Sequence, residues 1–82
     1  MKTYSVLVVD DSLTIRKLAE RVLKEQGYRV ELAESMSQAL QKVARYVPDL
    51  ILLDYVLPDG QGTDVCRSLL TEPRFASVPV LL

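Results

Sequence analysis

Apolar residues are arranged along this chain in two alternating patterns. Val6-Leu7-Val8-Val9 and Leu50-Ile51-Leu52-Leu53 are unbroken runs of large aliphatics. Continuous runs of that length suit strands of a parallel sheet that is buried on both faces. The first predicts a strand from Tyr4 to Val9, the second a third strand from Leu50 to Asp54. Between them, Tyr28, Val30 and Leu32 alternate with Arg29 and Glu31, which predicts a half-exposed second strand at a sheet edge. Ile15, Leu18, Ala19, Val22 and Leu23 follow the 3.6-residue period of a helix. Ser12 or Thr14 can cap its start, and Gly27 its end in the left-handed conformation. Met36, Ala39, Leu40, Val43, Ala44 and Val47 share one face of a second helix, opened by Ser35 or Ser37 and stopped by Pro48. Tyr55 to Gly62 reads as a long loop. Thr63 or Asp64 then caps a short third helix through Val65, Leu69 and Leu70, ended by Pro73, and Val78 to Leu82 begins a fourth strand.

Strand–helix alternation argues for an α/β fold with parallel pairing through right-handed crossovers. The order 2-1-3-4, flavodoxin-like, places the two unbroken apolar strands side by side. Both of those strands run straight into acids, Asp10-Asp11-Ser12 after the first and Asp54 after the third. Parallel strands end on the same side, so three carboxylates meet at the sheet edge where open α/β sheets place their sites. Clustered carboxylates repel one another, and a hard divalent cation is the cheapest compensation. With little else charged nearby, Mg²⁺ is the expected ion. Each acid also has a plainer reading: Asp54 as a strand terminator, Asp10-Asp11-Ser12 as N-cap chemistry for the next helix. Capping by Ser12 and metal binding by the acids are compatible.

Composition narrows the classes. An 82-residue chain allows one small domain, and 49% hydrophobic residues is a globular content. A net charge of −1 offers no field for nucleic acid or an anionic membrane. No apolar run approaches a membrane span, and the N-terminus lacks a signal-peptide core. The single Cys66 cannot form an internal disulfide, which fits a reducing cytoplasm, and among Val65, Leu69 and Leu70 it reads as a small buried hydrophobe. A dinucleotide-binding unit needs a Gly-rich turn after the first strand, and there is none.

Val-Val-Asp-Asp-Ser, then Leu-Leu-Asp-Tyr-Val-Leu-Pro-Asp-Gly-Gln-Gly, then Val-Pro-Val-Leu-Leu resemble, in that order, the receiver domain of two-component response regulators. The resemblance covers residues 1–82 as the N-terminal part of one receiver, stopping within the fourth strand, with the fifth strand and last two helices absent. It implies that Asp54 is the phospho-acceptor, taking a phosphoryl group from a histidine kinase or histidine phosphotransferase. It implies Mg²⁺ bound directly by Asp11, Asp54 and the Val56 backbone carbonyl, and by Asp10 through a water. Pro58, Gly60 and Gly62 would shape the loop that aims the Val56 carbonyl, with Asp59 a solvated turn residue and not a ligand. Ile15 and Leu18 read as core, or by resemblance as the partner-docking part of the first helix, with Ile15 the better docking candidate. Arg16 and Lys17 read as a solvated face. The family's switch Ser or Thr and its strand-five Lys have no counterpart in this sequence, so impaired switching is expected. So is a homo-oligomer, because one sheet face would be left uncovered. No enzyme activity beyond self-catalysed phosphorylation and dephosphorylation is expected. A haloacid-dehalogenase-type phosphatase would want Asp-x-Asp, which Asp10-Asp11-Ser12-Leu13-Thr14 lacks. The competing expectation is a non-phosphorylated interaction module that folds and oligomerises.

Overall fold

A computed structural model describes residues 3–54, 56–61, 67, 71–75 and 77–81. The chain forms β1 (Ser5–Val9), α1 (Leu13–Glu25), β2 (Arg29–Ala33), α2 (Met36–Val43), β3 (Leu50–Leu53), β4 (Val56–Leu57), β5 (Gly60–Gln61), a 3₁₀ turn (Pro73–Phe75) and β6 (Val80–Leu81). Four strands make a parallel sheet in the order β2-β1-β3-β6. That is the expected 2-1-3-4 order, with β6 as the fourth sheet strand. The third helix expected after Gly62 lies largely outside the described residues, as do Gly62, Thr63, Asp64 and Cys66; Arg67 within it is helical.

Strand β1 is buried on both faces, as its unbroken apolar run requires, whereas β3 is buried on one face and half-buried at Leu50 and Leu52 on the other. Leu7, Val9, Ile51 and Leu53 point to one face, where they form the main core with Ala33, Ala39 and Val43 of α2's side, Leu57 and Phe75. Val6 and Val8 are buried on the opposite face, beside α1. The result is a helix–sheet–helix sandwich.

Both helices begin where the sequence allowed. Ser12 caps α1, its Oγ accepting from the Ile15 N–H at 3.2 Å, and Ser35 caps α2, its Oγ accepting from the Gln38 N–H at 3.1 Å. Helix α1 closes with Gly27 at φ 90°, where the Gly27 N–H donates to the Lys24 carbonyl and the Tyr28 N–H to the Leu23 carbonyl. This is the paired-bond termination that wants a residue without Cβ.

Three expectations need correction. Helix α2 stops at Val43 rather than at Pro48, and Ala44 and Val47 are exposed. The residue before a proline avoids the helical region, so the helix must end some residues earlier. Leu18, 56% exposed, is not core, and α1 has no fully buried residue. Ala19 and Leu23 are its half-buried apolar positions, and Leu18 sits about 100° round the helix from Ala19. Finally, the stretch after Asp54 is not all loop: β4 and β5 pair antiparallel around Pro58-Asp59. A two-residue ladder is too short to leave an alternating signature in the sequence.

Candidate functional site

Sheet register places the acids. Val9 pairs with both Ala33 and Leu53, so Asp10 and Asp54 are the first residues past the aligned strand ends. Their backbones continue the ladder by one bond each. The Asp10 N–H donates to the Ala33 carbonyl at 3.0 Å, and the Asp54 N–H to the Val9 carbonyl at 2.8 Å. Carboxylate oxygens of Asp10, Asp11 and Asp54 all lie within 4.8 Å of one another. Asp10 and Asp54 are half-buried and Asp11 is exposed.

The three acids are not equivalent. Asp10 Oδ1 accepts from the Ser12 N–H at 2.9 Å, so one of its oxygens is committed to the turn into α1. Among the described residues, the side chains of Asp11 and Asp54 make no hydrogen bond, and none of the three acids has an ion-pair partner. Three uncompensated carboxylates on an open edge form an all-oxygen, strongly anionic donor set. That chemistry fits a hard divalent cation. The expected coexistence of helix capping and an acidic site is present, since Ser12 caps α1 while the acids remain grouped.

Val56 opens β4, two residues after Asp54. With two residues in the turn, Leu57 and Gly60 form the hydrogen-bonded pair, and Val56 falls opposite Gln61 in the outward pair. Its carbonyl is therefore left out of the ladder. Pro58 is exposed at the turn, where its fixed φ suits the first turn position. Gly60 is in β5, and among the described glycines only Gly27 has positive φ, so this turn does not draw on the left-handed freedom of Gly60.

One residue departs from its sequence reading, and a second has partners beyond it. Arg16 is not a solvated charge: its side chain is only 12% exposed, its Nη1 donates to the Asp10 carbonyl at 2.8 Å, and its Nη2 lies 3.5 Å from Glu34. It thus ties the end of β1 to the residue after β2. Lys17 is the surface charge expected, near Glu20 at 3.9 Å. Asp59 is the exposed turn residue expected and lies outside the acidic group, but its carboxylate has partners that the sequence did not indicate. Its Oδ1 accepts from the Met36 N–H at 2.8 Å and its Oδ2 from the Ser37 N–H at 3.0 Å. The Ser37 and then the Met36 N–H hold its carboxyl below the usual aspartate range. Nothing within a few residues of Asp59 signals this, because the partner lies 22–23 residues away.

Ile15 and Leu18 are exposed on α1, at 46% and 56%. A groove of about 330 Å³ runs from Asp10 and Asp54 along α1, lined by Val8, Ile15, Ala19, Leu52 and Leu81. A larger cleft of about 980 Å³ lies at the opposite end of the sheet, near Ser5, Arg29, Arg45 and Tyr46. There burial pushes the Tyr46 phenol up, the Ser5 side chain beside it pulling the other way without a well-formed hydrogen bond. That cleft is remote from the acids, and Asp10 and Asp54 line the smaller groove. Among the described residues, no helix is long and apolar enough to cross a membrane.

The family model of the response regulator receiver domain matches residues 6–82. The chain is 38% identical over 78 residues to the KDP operon transcriptional regulatory protein KdpE of Escherichia coli, covering 95% of this chain and 33% of that protein. It is 40% identical over 77 residues to the response regulator PleD of Caulobacter vibrioides, covering 94% and 17%. The fold superposes on the chemotaxis response regulator CheY4 of Vibrio cholerae with a TM-score of 0.94 at 29% identity, covering 96% of this chain and 66% of that one. A putative response regulator from Chloroflexus aurantiacus gives 0.91 at 33% identity, covering 96% and 65%. The chain thus spans about a third or less of the length of these curated relatives.

Proposed function

Because the chain belongs to the response regulator receiver family, whose members are signalling modules of two-component systems, we propose that Asp54 accepts a phosphoryl group from a phosphohistidine. The observation that carries this reading is the grouping of the Asp10, Asp11 and Asp54 carboxylates within 4.8 Å at the strand ends. In the transfer, a carboxylate oxygen of Asp54 attacks phosphorus. The new P–O bond forms as the P–N bond to imidazole breaks, and the imidazole leaves with the bonding electron pair. The product is an acyl phosphate on Asp54. Its carboxylate suits this role because no hydrogen bond among the described residues competes for its oxygens, while its backbone is fixed by the Val9 carbonyl.

Asp11, Asp54 and the Val56 carbonyl would hold Mg²⁺ directly. Asp10, with one oxygen committed to Ser12, suits a contact through water. When bound, the ion offsets the negative charge that otherwise opposes an incoming phosphoryl group. The phosphohistidine belongs to a histidine kinase or phosphotransferase of the cytoplasm, docked over the exposed Ile15 and Leu18. No role is proposed at nucleic acid or membrane, and activity is limited to self-catalysed phosphorylation and dephosphorylation.

Incubation with acetyl phosphate and Mg²⁺, read by intact mass, tests the assignment. One phosphoryl group per chain is expected, dependent on the metal and lost in Asp54→Ala. Undiminished incorporation in Asp54→Ala would show that the acceptor has been misidentified.

One observation favours a second reading, a non-phosphorylated self-associating module. Ile15 and Leu81, 46% and 54% exposed, line the groove beside α1, and Leu18 and Val22 of the same helix are 56% and 48% exposed; exposed apolar surface of that kind marks interaction sites. Light scattering at low micromolar concentration separates the outcomes. A dimer that takes no label supports this reading, and a labelled monomer removes it.

A further inference from the structure

We infer that Asp59 is a positioning residue for the acidic site, acting through the β4–β5 hairpin; this rests on the cation-binding reading above. Three orphan N–H groups open α2, and they are satisfied from two separate places. Gln38 donates to its own cap, Ser35 Oγ, at 3.1 Å. Met36 and Ser37 donate to the two oxygens of Asp59, at 2.8 and 3.0 Å. A carboxylate at that end of a helix also meets the positive end of its dipole. Ser35 needs nothing beyond its own helix. Asp59 is different, because it sits at the tip of the hairpin whose first strand begins at Val56, two residues after Asp54.

The bidentate contact therefore clamps the turn between β4 and β5 to a helix that is itself packed on the sheet through Ala39 and Val43. Two bonds at one carboxylate fix the orientation of the turn as well as its distance. A four-residue ladder held only by its own pairing would be marginal alone. Anchoring it at Asp59 fixes the direction of the Val56 carbonyl, which the ladder leaves unused. Both carboxylate oxygens take part, and a single contact would leave the hairpin freer to pivot.

Mg²⁺ titration of Asp59→Ala, Ser35→Ala and Asp11→Ala, each compared with the parent chain by calorimetry, tests this. Thermal melts without metal supply the structural comparison. Ser35→Ala removes a cap of the same helix without touching the hairpin, so it should lower the melting temperature and leave affinity unchanged. Asp59→Ala should lower both, with affinity falling about tenfold, the lower end of what loss of a supporting contact costs a metal site. Asp59→Asn, which keeps one acceptor oxygen, should fall between. If Asp59→Ala binds as the parent does while Asp11→Ala does not, the positioning role is overturned and the cation site stands. If Asp11→Ala also binds as the parent does, the cation reading itself has failed.

Discussion

Replacing Asp54 by Asn should stabilise the metal-free protein. The carboxylate of Asp54 faces two others within 4.8 Å and has no compensating partner among the described residues. At 4.8 Å a like-charge pair costs about 0.9 kcal/mol with the screening of water and about 3.5 kcal/mol at an effective dielectric of 20. Asp11 is exposed and Asp10 and Asp54 only half-buried, which sets the pairs near the watery limit. Removing two of them gains about 2 kcal/mol, roughly 8–16 °C in melting temperature for a domain of this size. The substitution sacrifices little, because the anchoring bond to the Val9 carbonyl is made by the backbone N–H. Urea melts in EDTA at low ionic strength provide the assay. At about 1 M salt the Debye length shrinks to about 3 Å and the difference between variant and parent should largely vanish. Adding Mg²⁺ should reverse the ranking: a hundred times the dissociation constant stabilises the parent by about 2.7 kcal/mol, more than the gap, and Asp54→Asn by much less. Unchanged or lowered stability in metal-free, low-salt buffer would refute the reasoning. It would mean that the three charges are already compensated.

Further outcomes follow from single residues. Asp11→Ala should weaken Mg²⁺ binding sharply and Asp10→Ala less, measured by calorimetric titration, since only Asp10 already spends an oxygen on Ser12. Gly27→Ala should shift the urea midpoint by about 1 kcal/mol of destabilisation with unchanged m; a Cβ there meets nothing within 4 Å, so the cost is that of φ 90° alone. Acid should act through Asp59, whose folded carboxyl is held low by the Ser37 and Met36 N–H groups. The unfolded chain then takes up the proton first, so this stability is present above the ordinary aspartate value of about 3.9 and lost as pH falls through the folded value. Urea melts at decreasing pH should show a shallower loss in Asp59→Asn than in the parent.

The parts of this protein that could be read from sequence are those governed by short-range pattern. Val6–Val9 and Leu50–Leu53 gave adjacent parallel strands because four consecutive aliphatics can be satisfied only by burial on both faces. Once those strands pair, Asp10, Asp11 and Asp54 have nowhere to go but the same edge. Ser12, Ser35 and Gly27 were legible because capping is decided within a few residues. Arg16 and Asp59 were not, because their partners come from another part of the chain: Glu34 for the one, Met36 and Ser37 for the other. An arginine on a helix and an aspartate in a Pro-Asp-Gly turn look the same whether or not such a partner arrives. Leu18 failed for a related reason. Helical periodicity identifies an apolar stripe, but its width on α1 exceeds what the sheet covers, and only the fold shows which edge stays exposed.

The acids are held by backbone and the supports by side chains, and this division gives the site its character. Asp10 and Asp54 are placed by ladder bonds from their backbone N–H groups to the Ala33 and Val9 carbonyls, which any substitution but proline at those positions leaves available. Arg16 and Asp59 instead use their side chains, one on the Asp10 carbonyl and the other on the α2 N–H groups. Substituting an acid should therefore remove chemistry while sparing the fold, even stabilising it. Substituting a support should disturb both. The same separation explains how an anionic cluster persists at a sheet edge in so small a domain. Its repulsion acts between side chains in partial contact with water, while the bonds that would have to break to relieve it belong to the buried β1–β3 ladder. On the function proposed above, relief comes from outside the chain as a cation, and the oxygens of Asp11 and Asp54, which no hydrogen bond among the described residues uses, are where it would be received.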